Sequence, residues 1–435
     1  MPQLFSVSRT FALQLFQAIR FLSLIGISIF LSKSGLSQEE IGSYETVLFV
    51  AGLLSFFWVS GLTQAMLAST APRVKDKGSE IFNTFIVLST FTLATVATGY
   101  LLKSSITALK GTSNLEHLTL TLLYLALSAP ANLAEYIYLI KNKPRSIVAY
   151  GSIVWGAQLL AVIAAVHLGH GLAGAIYALI ASAGIKLIWT VALVVKHSEL
   201  KLNIKFIREF LLLGIPLVGK ILISGSASYI DGLIITSQFS LSAFATFRFG
   251  AREFPLTTLL SNGLSNAMIP DLASPSNFAK ALINLKKRTL RLMHVLYPIT
   301  IVSLLVAPPL FPIVFNPSFA ASAIIFNTYL LTITSKLIFP QTVAIGLKKT
   351  KWLLYISIAE LSINVSLSLA LIPPFGLNGV AIATVIAFWF EKALIALYLY
   401  RALNIAPQSY IPLKEYFIYS TLLLLTFAIS TVIWF

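Results

Sequence analysis

Seven basic residues lie inside long apolar stretches of this 435-residue chain. A cation near the centre of a bilayer costs at least about 2.5–3.5 kcal/mol, so such residues line polar interiors. An arginine fork binds phosphate oxygens in pairs, and a lysine acts as a point charge. Their shared sign therefore predicts an anionic ligand. The seven are Arg20, Lys186, Lys220, Arg248, Arg252, Lys336 and Lys392.

The composition predicts an integral membrane protein. Hydrophobic residues make up 57% of the sequence and charged residues 11%, and the mean hydropathy is +0.87. The apolar stretches are too many and too long for one soluble core. The chain has no cysteine, which excludes disulfides, thiolate metal sites and a cysteine nucleophile. We expect an all-α polytopic protein with about 12–13 transmembrane helices.

Thirteen segments are long enough to span a bilayer as helices. Lysine and arginine concentrate in every second gap, as in Lys141, Lys143 and Arg145. Loops of this kind stay in the cytoplasm, so the N-terminus is predicted to be cytoplasmic and the bases need no nucleic-acid partner. The segments are 10–32, 42–69, 80–102, 117–140, 147–167, 171–195, 208–237, 242–269, 287–312, 319–345, 350–372, 376–402 and 414–434.

An internal repeat divides the sequence. GLTQAM at 61–66 recurs as GLSNAM at 263–268, and GLAGAIYA at 171–178 recurs as GLNGVAIA at 376–383. Each half then has an even number of helices, which predicts two parallel six-helix lobes around a central cavity. The predicted parts are an N-terminal lobe at 1–198, a cytoplasmic linker at 199–210, a C-terminal lobe at 211–405 and an additional helix at 406–435.

Two further stretches mix basic and apolar residues. Residues 197–210 suit a short interfacial helix that joins the halves, and residues 275–291 suit a helix on the cytoplasmic surface that starts near Pro275. A solvated basic loop is the alternative for each of them.

Several motifs carry no chemistry. GIPLVGKI at 214–221 has the spacing of a phosphate-binding loop, but Ile221 replaces the Ser or Thr that would hold magnesium. GHGLAG at 169–174 follows no predicted strand, so we interpret it as a turn. His167 and His170 lie there without a third ligand in the nearby sequence, which favours surface histidines over a metal site.

Two stretches carry a family resemblance. SKSGLSQEEIGSYETVLFVAGLLSFFWVSGLTQAMLAS at 32–69 resembles the first loop and second helix of bacterial polysaccharide flippases of the Wzx type. FLLLGIPLVGKILISGSASYIDGLII at 210–235 is similar to their seventh helix, with Gly214 and Pro216 near its start and Asp231 near its end. This family belongs to the multidrug/oligosaccharidyl-lipid/polysaccharide exporter superfamily, which also contains multidrug extruders and the lipid II flippase.

The resemblance spans about residues 5–405 and implies a function. It implies a two-lobed transporter that moves an isoprenoid diphosphate-linked oligosaccharide from the inner to the outer leaflet of the bacterial cytoplasmic membrane by alternating access. Its partners would be this polyprenyl-linked substrate and membrane lipids, with no cofactor. The identity of the substrate and the direction of its movement between the leaflets are expectations at this point.

The intramembrane bases are the candidate substrate-binding residues. Arg248 and Arg252 are four residues apart, which predicts that they share one face of helix eight. Pairing with buried acids is the alternative role for these bases. Lys186 and Lys392 could instead extend to the inner interface, so they are left out of the set. The candidates are Arg20, Lys220, Arg248, Arg252 and Lys336.

Polar side chains inside the helices also suit ion coupling, since intramembrane carboxylates in transporters take up H+ or Na+. Asn364 lies one turn from Glu360 and can supply a neutral oxygen. Ion pairing within the bundle is the alternative, and no resident metal is predicted. The candidates are Asp231, Glu360, Asn364 and Glu45.

Two other functions compete with a flippase. A multidrug extruder of the same fold exports cations and would need a more acidic cavity than this sequence predicts. A membrane glycosyl polymerase or ligase would need a sizeable external region, whereas the longest external gap, 103–116, holds only Glu116 and two lysines. The sequence therefore favours a transporter over an enzyme.

The alternating basic gaps predict a cytoplasmic N-terminus and an external C-terminus. A reporter that is active only outside the cell should work when fused after Phe435 and fail when fused after Arg145. A C-terminal reporter that is active only in the cytoplasm would contradict the helix count.

Overall fold

The chain folds into helices joined by short turns, and a computed structural model describes residues 9–70, 78–103, 117–252, 255–274, 277–347 and 349–434. Within these ranges no strand occurs. The helices are α1 (Arg9–Lys33), α2 (Gln38–Thr70), α3 (Glu80–Leu101), α4 (Leu118–Ala131), α5 (Leu133–Ile140), α6 (Pro144–Ala165), α7 (Gly171–His197), α8 (Ile204–Gln238), α9 (Leu241–Gly250), α10 (Pro255–Ala273), α11 (Phe278–Val314), α12 (Ser322–Leu330), α13 (Ile333–Lys336), α14 (Pro340–Gly346), α15 (Thr350–Phe375), α16 (Leu377–Leu403) and α17 (Leu413–Trp434).

Many of these helices are long and apolar enough to cross a membrane. Within the described ranges nine stretches meet this criterion, or ten if the bent pair Ser322–Lys336 and Pro340–Gly346 counts as one span. One of the nine, Pro144–His197, contains both α6 and α7. The chain is therefore a multi-pass, all-α membrane protein, and the predicted fold class is confirmed.

The helices form two compact units. The first contains Met1–Gly225 and Thr236–Ala245, and the second contains Ser226–Ile235 and Thr246–Phe435. Both units therefore draw on α8, whose 35 residues include Pro216. Arg73, Lys75 and Lys77 form another of the alternating basic gaps and lie outside the described residues, as do Pro275, Glu116 and Phe435.

In the first unit α1 packs along α6, while α4 and α6 pack along α7. Phe16 of α1 stacks on Tyr150 of α6 with ring centroids 6.2 Å apart, inside a buried apolar core. Gly61 allows α2 to approach α8 closely, since a Cβ at this position would lie 2.7 Å from the Cα of Val218. Such small-residue contacts are typical of membrane helices, because these associate through van der Waals packing and not through the hydrophobic effect.

In the second unit α15 and α16 form a hairpin, and α17 packs along α11. Buried polar groups fix α17 in place. Asn327 Nδ2 and Ser430 Oγ both donate to the carbonyl oxygen of Leu304, each at 2.9 Å. Because a polar group in an apolar bundle must find its partner inside the protein, these bonds define the position of α17.

The two copies of the longer repeat begin with the same backbone conformation. Gly171 has φ +55° and ψ −145°, and Gly376 has φ +55° and ψ −136°. A residue with a side chain would be strained at either position. Each glycine ends a tight turn between two antiparallel helices. The predicted turn thus lies at the start of GHGLAG, whose last four residues begin α7, and His167 and His170 are exposed there.

Two predicted helices are interrupted. The prediction of a single helix at 242–269 is wrong, because α9 ends at Gly250 and α10 begins at Pro255. Proline suits the first position of a helix, where the backbone N–H that it lacks would have no partner within the helix. Arg248 lies in the last turn of α9 and Arg252 follows its end. The prediction that the two arginines share one helical face is therefore wrong.

Segment 319–345 is likewise wrong as one continuous helix. It consists of α12, α13 and α14, with a 43° bend before α14. The hydroxyls of Thr332, Thr334 and Ser335 bond to carbonyls three residues back at 2.6, 2.8 and 2.9 Å, which competes with the α-helical pattern. Lys336 therefore lies at a break in the helix, just before Pro340 starts α14.

Neither of the two surface helices predicted from the sequence is a separate short element. Residues 199–203 are not helical, and α8 runs without interruption from Ile204 to Gln238. The stretch predicted as a surface helix at 275–291 contributes the first turns of the 37-residue α11. Phe206 and Phe210 of the first stretch lie on the buried face of α8, whereas Leu202 and Ile204 are exposed. In the second stretch the buried apolar residues of α11 are Ala281, Leu282 and Leu285.

Asn83 holds the non-helical stretch 198–203 against the start of α3. Its side chain is fully buried; Nδ2 donates to the Lys201 carbonyl at 2.9 Å and Oδ1 accepts from the Asn203 N–H at 3.0 Å. The Asn83→Ala change removes both hydrogen bonds, each of which contributes about 0.5–1.5 kcal/mol to stability. Thermal unfolding in detergent should show a midpoint several degrees lower.

The matched control is Thr90→Ala, on an exposed position of the same helix. It should leave the unfolding midpoint close to that of the unmodified protein. Equal midpoints for the two variants would contradict the role of Asn83.

Candidate functional site

Lys186 is the most deeply buried of the predicted bases whose side chains the structure describes. It lies in the middle of α7 with a 9% exposed side chain. Its Nζ donates to Gln158 Oε1 of α6 at 2.6 Å and lies 3.3 Å from the centroid of the Trp155 ring. A desolvated cation–π contact of this kind contributes about 2 kcal/mol or more. The ammonium is thus held inside the unit and does not extend to the membrane interface.

Arg20 of α1 lies beside the same indole ring. Its Cζ is 5.2 Å from the Trp155 centroid. Glu135 of α5 is buried and interacts electrostatically with both Arg20 and Lys186. We call Arg20, Glu135, Trp155, Gln158 and Lys186 the basic cluster. It brings two cations and one carboxylate together, so its charge is positive when all three are ionised.

The basic cluster also has hydrogen-bond donors to spare. Gln158 is 1% exposed and Trp155 is 8% exposed. Within the described residues, Gln158 Nε2 and Trp155 Nε1 have no hydrogen-bond partner. Buried donors normally have one. Two cations and two free N–H groups suit an acceptor-only ligand, which is what a phosphate or carboxylate is.

A second cluster of polar groups surrounds Asp231 in the second unit. Asp231 Oδ2 accepts from Tyr329 Oη at 2.5 Å and from Thr384 Oγ1 at 2.7 Å. Thr384 Oγ1 accepts in turn from Asn364 Nδ2 at 3.1 Å. Glu360 lies one turn from Asn364 on α15 and is close enough to Asp231 for mutual repulsion. We call Asp231, Tyr329, Glu360, Asn364 and Thr384 the acid cluster.

The acid cluster has oxygens to spare. Asp231 is 7% exposed and Glu360 is 5% exposed. In the described part of the chain, Asp231 Oδ1 and Glu360 Oε1 have no hydrogen-bond donor. Two carboxylates with amide and hydroxyl oxygens beside them are the donor set of a hard cation such as Na+, or of a proton shared between the acids. The sequence-predicted set Asp231, Glu360 and Asn364 is therefore brought together.

Glu45 lies apart from that set, in the first unit. It is buried on α2, and its Oε1 accepts from Ser28 Oγ at 3.1 Å. Lys392 is close to the acid cluster and donates to Glu391 Oε2 at 2.5 Å and to Gln341 Oε1 at 2.9 Å. Like Lys186, it is bonded inside the helices and does not extend to the interface.

The remaining predicted bases have different surroundings. Arg252 lies over the Phe249 ring, with Cζ 5.3 Å from its centroid. Lys336 Nζ donates to Thr258 Oγ1 at 3.2 Å. Arg248 is partly buried at the end of α9. Lys220 belongs to α8, but its side chain lies outside the described part of the structure.

Sequence reasoning missed four members of the two clusters: Trp155, Gln158, Tyr329 and Thr384. Gln158 carried a signal, because an amide inside an apolar helix must find a partner. The other three residue types are common in membrane helices and become notable only through their neighbours. Across the described residues no group of three or more His, Cys, Asp or Glu side chains could hold a metal.

The fold is similar to that of solved membrane transporters. The lipid II flippase MurJ in an inward closed conformation gives a TM-score of 0.71 at 18% identity, covering 96% of this chain and 92% of that one. An inward-facing multidrug resistance MATE family transporter of the MOP superfamily gives 0.65 at 14%, covering 88% and 94%. A MOP superfamily transporter from Pyrococcus furiosus gives 0.58 at 14%, covering 90% and 94%.

These identities establish the fold alone. A comparison with curated protein sequences finds no match. The family itself is identified from the sequence, since a profile described as "Polysaccharide biosynthesis protein" matches residues 36–324. That match covers more than half of the chain, and the protein therefore belongs to this polysaccharide biosynthesis family.

Proposed function

We propose that this protein is a flippase that moves an anionic isoprenoid diphosphate-linked oligosaccharide from the inner to the outer leaflet of the bacterial cytoplasmic membrane by alternating access. The observation that carries the proposal is the basic cluster, a positively charged, donor-rich site inside a membrane-spanning unit. Membership of a polysaccharide biosynthesis family and a fold shared with a lipid II flippase support it.

Arg20 is the residue of the basic cluster best suited to contact the diphosphate. It is only partly buried, whereas Lys186 and Gln158 are almost fully enclosed. Lys186 is fixed by its bond to Gln158, and its charge repels the nearby guanidinium. An anion beside Arg20 would reduce this repulsion, and two of its oxygens could accept hydrogen bonds from the guanidinium at once. Lys186 is then a positioning residue behind Arg20.

The other predicted bases have weaker support from the geometry. Arg248 and Arg252 lie at and after the C-terminal end of α9 and do not share the helical face that was predicted for them. Lys336 lies at the break between α13 and α14, and Lys220 rests on the sequence alone. Their contact with substrate stays a prediction.

We expect Arg20→Gln to reduce glycan export roughly tenfold or more, because a hydrogen bond to a charged group contributes about 1.5–3 kcal/mol. Arg20→Lys should restore part of the export, since the charge is kept and the planar fork is lost. The measurement is surface glycan in a deletion strain complemented with each variant, beside a blot for protein abundance.

The matched control is Arg145→Gln, which removes the same charge from an exposed position at the start of α6. It should leave export near normal. Full export by Arg20→Gln at normal abundance would contradict the diphosphate site and leave Arg20 as a structural partner of Glu135.

The acid cluster supports a coupling role. We propose that Asp231, Glu360 and Asn364 bind a transported cation, Na+ or H+, whose movement drives the substrate. The two donor-free carboxylate oxygens support this assignment, because a bound cation would satisfy both. Glu45 is a weaker candidate, since a serine hydroxyl already bonds to it.

Asp231→Asn should abolish the dependence of transport on the coupling cation, because the amide keeps the size of the side chain and removes its charge. The measurement is flipping of a lipid-linked oligosaccharide in proteoliposomes with an imposed Na+ gradient, then with an imposed pH gradient. Glu199→Gln, on an exposed position, is the control. If Asp231→Asn responds to both gradients as the unmodified protein does, the assignment of the acid cluster as the coupling site is contradicted.

Export of organic cations is the second candidate function, and the acid cluster is the observation that favours it. A multidrug extruder would protect cells against cationic drugs and leave surface glycan unchanged after deletion. Loss of surface glycan with unchanged drug sensitivity would favour the flippase.

A further inference from the structure

A lateral groove runs along the outside of the first unit. Its volume is about 560 Å³, and its walls include Ile185, Ile188 and Ala192 of α7. These three side chains are exposed on the helix surface. The lining is almost entirely apolar, so water is a poor occupant and a hydrocarbon chain is a good one.

The groove has a polar end. Lys196, in the last turn of α7, forms part of its wall. Lys196 is eleven positions after Ile185, which is about 16 Å along a helix. This is close to half of the roughly 30 Å hydrocarbon thickness of a bilayer. The groove therefore has the length of an acyl chain in one leaflet, with a cation at its mouth.

Amphipathic side chains lie between the two ends. Trp189 Nε1 donates to Tyr138 Oη at 3.0 Å, and both residues line the groove. Tryptophan and tyrosine favour the boundary between hydrocarbon and headgroups. Their bond joins α5 to α7 and gives the groove a fixed wall.

Further bases surround the polar end. Lys143 Nζ lies 3.2 Å from His197 Nε2, beside Lys196. The charged side chains that act on His197 are Lys143, Lys141 and Lys196, and all are positive. A cluster of this kind needs an anion to balance it. The oxygens of a headgroup phosphate are within its reach when the acyl chain fills the groove.

We propose that this groove is a binding site for an anionic phospholipid of the adjacent leaflet, whose phosphate contacts Lys196 and Lys143 and whose acyl chain lies along Ile185, Ile188 and Ala192. Basic pockets at the ends of membrane helices recognise anionic headgroups in this way. A zwitterionic phospholipid would fill the groove equally well but carries its own cation, which the three lysines repel.

The test is native mass spectrometry of the full chain in detergent with added phosphatidylglycerol or phosphatidylcholine of identical acyl chains. We expect the protein to retain one phosphatidylglycerol in preference to phosphatidylcholine. Lys143→Gln with Lys196→Gln should weaken that retention on the order of thirtyfold, because each base near an anionic headgroup contributes a factor of about five. Ala192→Trp should weaken the retention of both lipids by filling the groove.

The charge-matched control is Lys280→Gln with Lys287→Gln, two exposed bases on α11. This pair should retain phosphatidylglycerol as the unmodified protein does. Equal retention of the two lipids, or unchanged retention in either the double variant or Ala192→Trp, would overturn the proposal. Displacement of phosphatidylglycerol by an equal concentration of polyprenyl phosphate would also overturn it, because the groove would then belong to the carrier lipid.

Discussion

An ionised side chain inside this protein must be stabilised by the protein itself, because hydrocarbon supplies neither water nor counter-ions. The ammonium of Lys186 shows what this requires. An amide oxygen from α6, the face of an indole and a carboxylate from α5 all converge on it. Those groups meet only if α1, α5, α6 and α7 pack as they do. The buried charge therefore constrains the packing of the first unit more strictly than its interchangeable apolar contacts do.

The two units meet this requirement with opposite signs. In the basic cluster the cations are the side chains of Arg20 and Lys186, and within the described ranges the groups without a hydrogen-bond partner are the N–H donors of Trp155 and Gln158. In the acid cluster Tyr329 and Thr384 satisfy one oxygen of Asp231, while Oδ1 of Asp231 and Oε1 of Glu360 are left over. Excess donors attract an anion and excess acceptors attract a cation. The asymmetry is notable because both units contain copies of the same sequence repeat, with the same glycine conformation at Gly171 and Gly376.

Much of this was predictable from the sequence. Membrane helices are identified by apolar length alone, and Asp231, Glu360 and Asn364 stood out as polar groups in apolar segments. The breaks after Gly250 and after Lys336 were missed because the apolar residues on both sides were joined into one segment, although Pro255 and Pro340 mark where the next helices begin. Trp155 and Thr384 were missed for a different reason. Their roles depend on which helices are neighbours, and in an all-apolar helix no periodicity marks the face that meets a neighbour.

The opposite signs of the two clusters have an electrical consequence for the proposed function. A diphosphate that leaves the inner leaflet carries negative charge outward, and a cation that enters through the acid cluster carries positive charge inward. Both movements run down a membrane potential that is negative inside, at about 2.3 kcal/mol per elementary charge per 100 mV. If the two movements are coupled, the membrane potential therefore supplies free energy to both the substrate step and the cation step. A cation extruder with the same acid cluster would have its cargo moving against the potential, so only an anionic cargo gains energy from the potential in both directions of the cycle.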